Sequence, residues 1–364
     1  FKETSRFVSN KQFTSNEKSE METKSAKKFN RILENYGSWD NYIDNTQIEC
    51  KYQKMQAIYI DFEAKLWPCC WMGPSKYFPD KNNLVIGLNG EPIQLSKPLS
   101  KPEVVNAWLS NLEGYVDCVD FGNAPTPEIT KMYMFEALIY LFSTPFANQY
   151  LDIRRRNVGE IDKRGPRFLY IYGDSQNGKT TFLNWILKLI VGERIEPICG
   201  KDLSYDYIMN AREMGTAFPL MFDDVPGTKW RGKLESFFKN YWETEWRPED
   251  TFSQVIFTSN RYNLPEWANT RLKRVEFDVQ FTNNPEAKTI LNEIYKEKND
   301  IFGVFSTMYI GLLKQQKAYS EDELELGRQV FRLLYHKTGR DLPGYFPNKP
   351  AEELHNPART RWQK

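Results

Sequence analysis

The sequence predicts an α/β fold, in which helices cover both faces of a parallel sheet to give three layers. One observation is an apolar strand pattern at residues 167–172 that is soon followed by a helical pattern at residues 181–191. A second is a pair of further apolar runs, at residues 218–222 and 255–260, that lead into polar side chains. The third is helical periodicity on both sides of these strands, which predicts a helical domain before the sheet and a helical lid after it.

The segment between the first strand and its helix carries a phosphate-binding pattern. It reads Gly173-Asp-Ser-Gln-Asn-Gly178-Lys179-Thr180, with two glycines, a lysine and a hydroxyl residue at the required spacing. In such a loop, backbone N–H groups surround phosphates, the lysine reaches the β and γ oxygens, and the hydroxyl completes a magnesium shell. The pattern therefore predicts ATP and Mg²⁺ as cofactors. The predicted nucleotide-binding residues are Gly173, Asp174, Ser175, Gln176, Asn177, Gly178, Lys179, Thr180 and Thr181.

Two carboxylates follow the second strand. The run at residues 218–222 leads into Asp223 and Asp224, at the carboxyl end of a predicted central strand. We expect Asp223 to hold magnesium together with Thr180, and Asp224 to polarise the water that attacks the γ-phosphate. Without the phosphate-binding pattern, a strand-end turn would be the favoured interpretation of this pair.

The third strand ends in Thr258, Ser259 and Asn260. An uncharged amide at the position of Asn260 can hydrogen-bond the attacking water or the γ-phosphate, so we expect it to act as a sensor of the nucleotide. Downstream, Arg271 and Arg274 lie just before a strand-like run at residues 275–281, and one of them is a candidate arginine finger.

The order of these motifs resembles superfamily 3 helicases within the AAA+ ATPases, over about residues 167–280. Residues 222–227 resemble the acidic strand end of the polyomavirus large T antigen, and residues 258–260 resemble the matching strand of the papillomavirus replicative helicase. The resemblance implies an AAA+ form of the P-loop domain, a homo-oligomeric ring such as a hexamer, and DNA as a partner. It also implies that Arg271, or as the less favoured choice Arg274, reaches the ATP of the neighbouring subunit.

The sequence departs from this family between the acidic pair and the third strand. There the family carries a β-hairpin with a lysine or histidine tip that grips DNA. Here residues 233–242 have a helical pattern, and residues 243–250, which remain for a hairpin, are acidic. ATP hydrolysis is therefore better supported than translocation on DNA. A solvated helix face is the favoured interpretation, and phosphate contact the alternative, for four cations, namely Lys229, Arg231, Lys233 and Lys239.

Composition adds limits on partners and location. The chain has 49 basic and 48 acidic residues, so no overall basic field attracts nucleic acid. The arginines at 154–156 are predicted to be a charged helix end, with DNA contact as the alternative. No apolar run is long enough for a membrane span, and an odd count of 5 cysteines favours a reducing, cytoplasmic location. Because the chain begins at Phe1, we expect it to be a piece of a longer protein.

We predict four parts in the chain. They are an N-terminal region, partly flexible with a small β-unit, at residues 1–95; a helical collar at 96–160; the P-loop AAA+ ATPase domain at 161–283; and a C-terminal helical lid at 284–364. The collar is expected to contain helices at 102–119 and 127–153. The lid is expected to contain helices at 285–298, 300–318 and 320–337.

Cysteines in the N-terminal region suggest a second, weaker resemblance. The pattern around Cys69 and Cys70, with Cys50 before it, weakly resembles the auxiliary iron–sulfur domain of radical enzymes. A cluster normally needs four thiolates, and Cys118 or Cys199 would have to supply the fourth. Buried free cysteines in a small β-unit are the favoured interpretation.

Two functions remain open from the sequence. The first is an oligomeric ATP-driven DNA helicase or translocase that acts in replication of a virus, plasmid or mobile element. The second is an ATP-dependent oligomerising switch of a defence or signalling system that controls another module. The motif order favours the helicase, and the acidic interval favours the switch. A nucleotide kinase ranks third, because no acceptor site is evident.

Overall fold

The computed structural model describes residues 59–62, 65–68, 71–78, 83–88, 91–94, 97–158, 165–192, 196–213, 217–247, 252–281, 285–315 and 322–354. The predicted flexible arm, Cys50, Cys69 and Cys70 lie outside these residues. The chain divides into two compact units, residues 1–71 with 86–93 and residues 72–85 with 94–364. The N-terminal strands are β1 (Tyr59–Phe62), β2 (Lys65–Pro68), β3 (Trp71–Phe78), β4 (Asn83–Leu88) and β5 (Glu91–Gln94). β1 pairs with β2 in antiparallel orientation, and β3, β4 and β5 form a second sheet in that order.

The central sheet is parallel and has five strands. They are β6 (Phe168–Tyr172), β7 (Ile198–Cys199), β8 (Leu220–Asp223), β9 (Val255–Ser259) and β10 (Leu272–Glu276). Their spatial order is β10-β6-β9-β8-β7, with every neighbouring pair parallel. Because β9 lies between β6 and β8 and all three are parallel, the carboxyl ends of the three predicted motif strands lie side by side at one end of the sheet.

Helices flank this sheet. They are α1 (Pro102–Asp117), α2 (Pro127–Ser143), α3 (Ala147–Val158), α4 (Lys179–Val191), α5 (Tyr205–Glu213), α6 (Lys233–Asn240), α7 (Ala268–Arg271), α8 (Pro285–Lys296), α9 (Ile301–Gln315), α10 (Glu325–Lys337) and α11 (Ala351–Leu354). Proline begins α1, α2 and α8, at the helical position where its missing N–H costs nothing. Across the described part of the chain, no helix combines the length and the apolar character that a bilayer crossing requires.

Two helical layers cover the sheet and make the three-layer α/β fold that the sequence predicts. On one face α2 packs against β6, β10 and α4. On the other face the ring of Phe238 in α6 lies 4.9 Å from Phe168 and 5.4 Å from Phe257. Aromatic side chains pack edge to face there, which stabilises the layer beyond simple burial. Three tryptophans also belong to the buried core, namely Trp230, Trp242 and Trp246.

A buried ionic network ties the helices to the sheet edge. The carboxylate of Glu136 in α2 lies 2.6 Å from Lys273 Nζ in β10 and 2.9 Å from Arg328 Nη2 in α10. Its Oε2 also accepts a hydrogen bond of 2.7 Å from the Ala351 backbone N–H. Arg328 pairs in turn with Asp322, so two buried cations face two carboxylates. Removing charges from water costs several kcal/mol per ion unless partners compensate, so these elements must come together.

The largest differences between the observed element boundaries and the sequence prediction are three. The predicted helix 127–153 divides into α2 and α3 at the 3₁₀ turn Thr144–Phe146, because Pro145 interrupts the α-helical hydrogen bonds. The third lid helix begins at Glu325, five residues later than predicted. The strand predicted at 275–281 is instead β10, at Leu272–Glu276, because its partner β6 ends at Tyr172. The alternation of buried residues continues through Val279 after the strand ladder has ended.

Replacement of Glu136 by Gln should destabilise the protein strongly, because it leaves Lys273 and Arg328 buried without their shared counter-charge. We expect a loss of about 3–5 kcal/mol in the free energy of unfolding. Urea unfolding measures it. The control is Asp152→Asn, which removes the exposed Arg156–Asp152 pair and should cost no more than about 0.5 kcal/mol. Equal effects of the two substitutions would contradict the assigned importance of the network.

Candidate functional site

The phosphate-binding pattern forms a tight loop at the carboxyl end of β6. Gln176 and Gly178 adopt left-handed backbone conformations, with φ of 67° and 77°. A side chain at Gly173 would place its Cβ 2.7 Å from the Phe277 carbonyl oxygen, so glycine is required for this close approach. The Gly173 N–H donates to the Ser259 carbonyl at 3.3 Å, which joins the start of the loop to β9.

The chain that follows β10 holds the same loop from the other side. Asn177 Nδ2 donates to the Phe277 carbonyl at 2.7 Å, and the Phe281 N–H donates to the Gln176 carbonyl at 3.1 Å. Asn177 is buried, whereas four loop residues, Asp174, Ser175, Gln176 and Thr180, are exposed. Thr181 lies in the first turn of α4, where its carbonyl accepts a 2.5 Å bond from the Tyr295 hydroxyl.

Lys179 lies inside the loop rather than in solvent. Its Nζ donates to the Gly173 carbonyl at 2.7 Å, the Asp174 carbonyl at 2.8 Å and Asn260 Oδ1 at 2.8 Å. Burial lowers the pKa of Lys179, an effect that the nearby carboxylates of Asp223 and Asp224 oppose. The structure thus brings the lysine of the first motif and the amide of the third into direct contact.

Thr258 organises the acidic pair. Its hydroxyl donates to Asp223 Oδ1 and accepts a 2.8 Å bond from the Asp224 N–H. The second carboxylate oxygen of Asp223 accepts a 2.6 Å bond from Thr180 Oγ1. Asp224 has a left-handed φ of 54° and an exposed side chain. The two neighbouring acids therefore differ, since one is hydrogen-bonded on both oxygens and the other faces solvent.

The two candidate arginines do not join these residues. β10 runs parallel to β6 with Leu272 opposite Phe168, so Arg271 lies at the amino end of the strands, about 13 Å of strand away from the P-loop edge. Arg271 Nη2 there pairs with Glu243 Oε1 at 2.7 Å. Arg271 lines a cavity of about 160 Å³, and no residue of the phosphate-binding loop lines that cavity.

Arg274 lies within β10, which corrects the expectation that it precedes its strand. Its Nη2 donates to Asn269 Oδ1 at 2.7 Å. Burial lowers the pKa of Arg274, which is only half-exposed. Its guanidinium is therefore held within the protomer by a neighbouring turn.

Sequence reasoning missed two residues that shape the site and one, Glu243, that pairs with Arg271 at the opposite end of the strands. It placed Thr258 on the sensor strand but gave it no part in holding the acids, and it did not pair Glu243 with Arg271. It also passed over Gly200, where a Cβ would lie 2.5 Å from the Asp223 carbonyl oxygen and the Val225 nitrogen. A polar residue at a strand end was an available signal for Thr258. No local signal exists for the other two, because both contacts depend on strand order.

The chain matches, at residues 86–263, a family model described as the Aq_aa27 P-loop NTPase domain. The fold is that of a P-loop NTPase. The match includes the predicted collar helices, the phosphate-binding loop, the acidic strand and the sensor strand, and a P-loop domain implies nucleotide binding. A comparison with curated proteins finds no match.

Solved structures with detectable likeness include two helicases. One, titled "SCCmec type IV Cch - active helicase", shows 14% identity and a TM-score of 0.33, and the likeness covers 61% of this chain and 48% of that chain. This chain therefore spans about half the length of that structure. The JCV helicase shows 18% identity and a TM-score of 0.28, with 67% of this chain and 68% of that chain covered.

The described residues also bear on metals. Among them, no three His, Cys, Asp or Glu side chains come together as a metal-binding group. Cys118 is buried, Cys199 is exposed, and both are free thiols. The other three cysteines of the iron–sulfur alternative fall outside the described part of the chain.

Thr258→Val should destabilise the acidic strand end, because the isosteric methyl leaves Asp223 Oδ1 and the Asp224 N–H without their shared partner. We expect a loss of about 1–3 kcal/mol in the free energy of unfolding, measured in urea. Thr338→Val is the control, since that hydroxyl bonds only helix-end carbonyls of α10. The bracing role is wrong if the control variant loses as much stability as Thr258→Val.

Proposed function

We propose that this protein is an ATP-hydrolysing oligomeric motor, of the superfamily 3 DNA helicase or translocase type. One observation carries the proposal, the convergence of Lys179, Thr180, Asp223 and Asn260 at a single edge of the sheet. These residues come from three strand ends, and hydrogen bonds of 2.6–2.8 Å join them in pairs. A bare phosphate-binding turn would not need the amide and the carboxylate.

The residues present fit a magnesium nucleotide. Thr180 and Asp223 offer adjacent hard oxygen atoms, which Mg²⁺ prefers, and the phosphates of ATP would complete the coordination. The bound ion would neutralise charge on the β- and γ-phosphates. Loop residues Gly173 to Gly178, with Thr181, would surround the phosphates through backbone N–H groups. Lys179 would exchange its internal acceptors for phosphate oxygens.

The difference between the two acids supports separate roles. Asp223 is fixed by hydroxyl groups on both oxygens, which suits a residue that orients a hydrated cation. Asp224 is exposed on a left-handed backbone whose N–H is fixed, so its carboxylate is free to face a water molecule. In this assignment Asp224 removes a proton from the attacking water, and Asn260 orients that water or the γ-phosphate.

The place of Arg271 supports the oligomer in this proposal. Arg271 lies at the opposite end of β10 from the loop of its own protomer, so only a neighbouring subunit could offer it a nucleotide. Arg274 is less suited, because it lies mid-strand and bonds Asn269. Hydrolysis with a finger in trans would depend on assembly into a ring.

A second function is favoured by one observation. Between Val225 and Arg247 the structure has a 3₁₀ turn, α6 and the π-helical turn Tyr241–Glu245, and no strand among these described residues. The DNA-gripping hairpin of the resembling family is therefore missing from this stretch. An ATP-dependent oligomerising switch, which controls another module, remains the alternative.

Steady-state ATP hydrolysis tests the proposal. We expect the rate to fall about 100-fold in Lys179→Ala, which removes a phosphate ligand, and at least as far in Asp224→Asn, which removes the base. Asp224→Asn should retain ATP binding. Lys239→Ala, which removes an exposed cation paired with Glu235, is the matched control.

The same assay with added single-stranded or duplex DNA separates the two functions. A motor should respond with a several-fold increase of the Lys179-dependent rate. Hydrolysis that does not change when DNA is added would instead support the switch. Hydrolysis that persists in both Lys179→Ala and Asp224→Asn would show that ATP is not hydrolysed at this site.

Mixed subunits test the finger. Arg271→Ala and Lys179→Ala proteins should each be inactive, and their equal mixture should regain activity, because about one interface in four has both groups intact when subunits assemble at random. The matching mixture with Arg274→Ala measures the alternative. If neither mixture regains activity, neither Arg271 nor Arg274 acts across the interface.

A further inference from the structure

A group of cations follows the acidic pair directly. Lys229 lies in the 3₁₀ turn Gly227–Trp230, Arg231 is extended, and Lys233 begins α6. The side chain of Arg261, the residue after Asn260, lies over Gly227, with its Cδ 2.7 Å from where a Cβ would be. We call these four residues the basic loop surface. Arg231, Lys233 and Arg261 are exposed, and Lys229 is half-exposed.

These four cations differ from their neighbours because none pairs with an acidic side chain among the described residues. Within the part of the chain that the structure describes, the side chains of the basic loop surface form no ion pair and no hydrogen bond. Nearby cations are paired: Lys239 lies 2.8 Å from Glu235, and Arg271 lies 2.7 Å from Glu243. Among the described residues, these cations therefore form an unpaired positive patch near the nucleotide-binding end of the sheet.

The backbone presents this patch outward. The indole ring of Trp230 is buried and packs at 5.5 Å from Tyr170 and 4.9 Å from Phe257, which anchors the turn in the core. Gly232 has φ of 71° with no atom within 4 Å of an added Cβ, so the chain reverses at the surface. Arg231 and Lys233 flank that glycine.

We infer that the basic loop surface binds the sugar-phosphate backbone of nucleic acid. The inference rests on the proposed function and gives that function its nucleic-acid contact. Separate, unpaired cations on an exposed loop suit a polymer of phosphates, since each phosphate can neutralise one of them. The aromatic residue of the loop, Trp230, is buried, so base stacking is not offered there. Contacts to phosphates carry no sequence information, so binding should be indifferent to base sequence.

Two short connections link this surface to the nucleotide site. Along the chain, Lys229 is five residues from Asp224, whose neighbour Val225 donates its N–H to Thr258 at 2.8 Å. Across the fold, Arg261 follows Asn260, which accepts the 2.8 Å bond from Lys179. A nucleic-acid phosphate bound at this surface could therefore change the position of both the acidic pair and the Asn260 amide.

Fluorescence anisotropy with a labelled oligonucleotide, single-stranded or duplex, tests the inference over about 50–200 mM salt. The variant is the double replacement Arg231→Ala with Lys233→Ala, and the matched control is Lys239→Ala, a paired cation in the same helix. We expect binding about tenfold weaker in the double variant, and a salt slope smaller by about 1.4 for single strands or about 1.8 for duplex. The control should match the wild type.

Equal affinity and slope in the double variant and the control would overturn the inference. Arg231→Glu gives a second test, because it changes the charge by the same two units as the double variant and should weaken binding to both oligonucleotides by about as much. Thermal unfolding shows whether each variant is folded. A wild type that binds neither oligonucleotide also overturns the inference, while intact ATP hydrolysis would then leave the switch function standing. Loop-dependent binding without any ATP hydrolysis would instead refute the proposed motor alone.

Discussion

The domain depends on the buried ion pairs that the Glu136 carboxylate makes with Lys273 and Arg328. Glu136 is 1% exposed and serves Lys273 of the edge strand, Arg328 of α10 and the backbone of α11 together. Buried cations without a counter-charge are costly, so the helices that precede and follow the sheet in sequence must pack on the same strand. The position of β10 in turn fixes the phosphate-binding loop, because the Phe277 carbonyl and the Phe281 N–H hold Asn177 and Gln176. Charge balance far from the loop therefore contributes to its shape.

Local signals made the motif strands and their helices predictable. The strand before the loop was predicted at 167–172 and is found at Phe168–Tyr172, because apolar side chains fill both faces of a covered parallel strand. Gly192 ends α4 with φ of 89°, as glycine after a helix usually does. The boundaries of β10 were not predictable in this way. The hydrogen-bonded pairing of β10 ends where its partner strand β6 ends, and β6 lies about a hundred residues earlier in the chain.

The same distinction applies to the candidate site. Lys179, Thr180, Asp223 and Asn260 were predicted from the sequence, since each belongs to a short, contiguous motif. Their contacts were not, because the order β6-β9-β8 decides that Asn260 meets Lys179 and that Thr258 lies beneath both acids. Glu243 belongs to a π-helical turn for which the sequence gives no specific pattern. These contacts join residues that are far apart in the chain, and for that reason they cannot be predicted from local sequence patterns.

The position of Lys179 has a consequence for affinity. Three oxygen atoms of the protein already occupy its ammonium group, so the loop contains its own competitor for any entering phosphate. Measured binding would be the difference between two sets of hydrogen bonds, and weaker than the charge of the site suggests. The exchange would also release the amide of Asn260 at the moment of entry. The Asn260 side chain, at the end of β9, would thus be free to move when nucleotide is bound and held by Lys179 when it is not. Its conformation would therefore report whether the loop holds nucleotide.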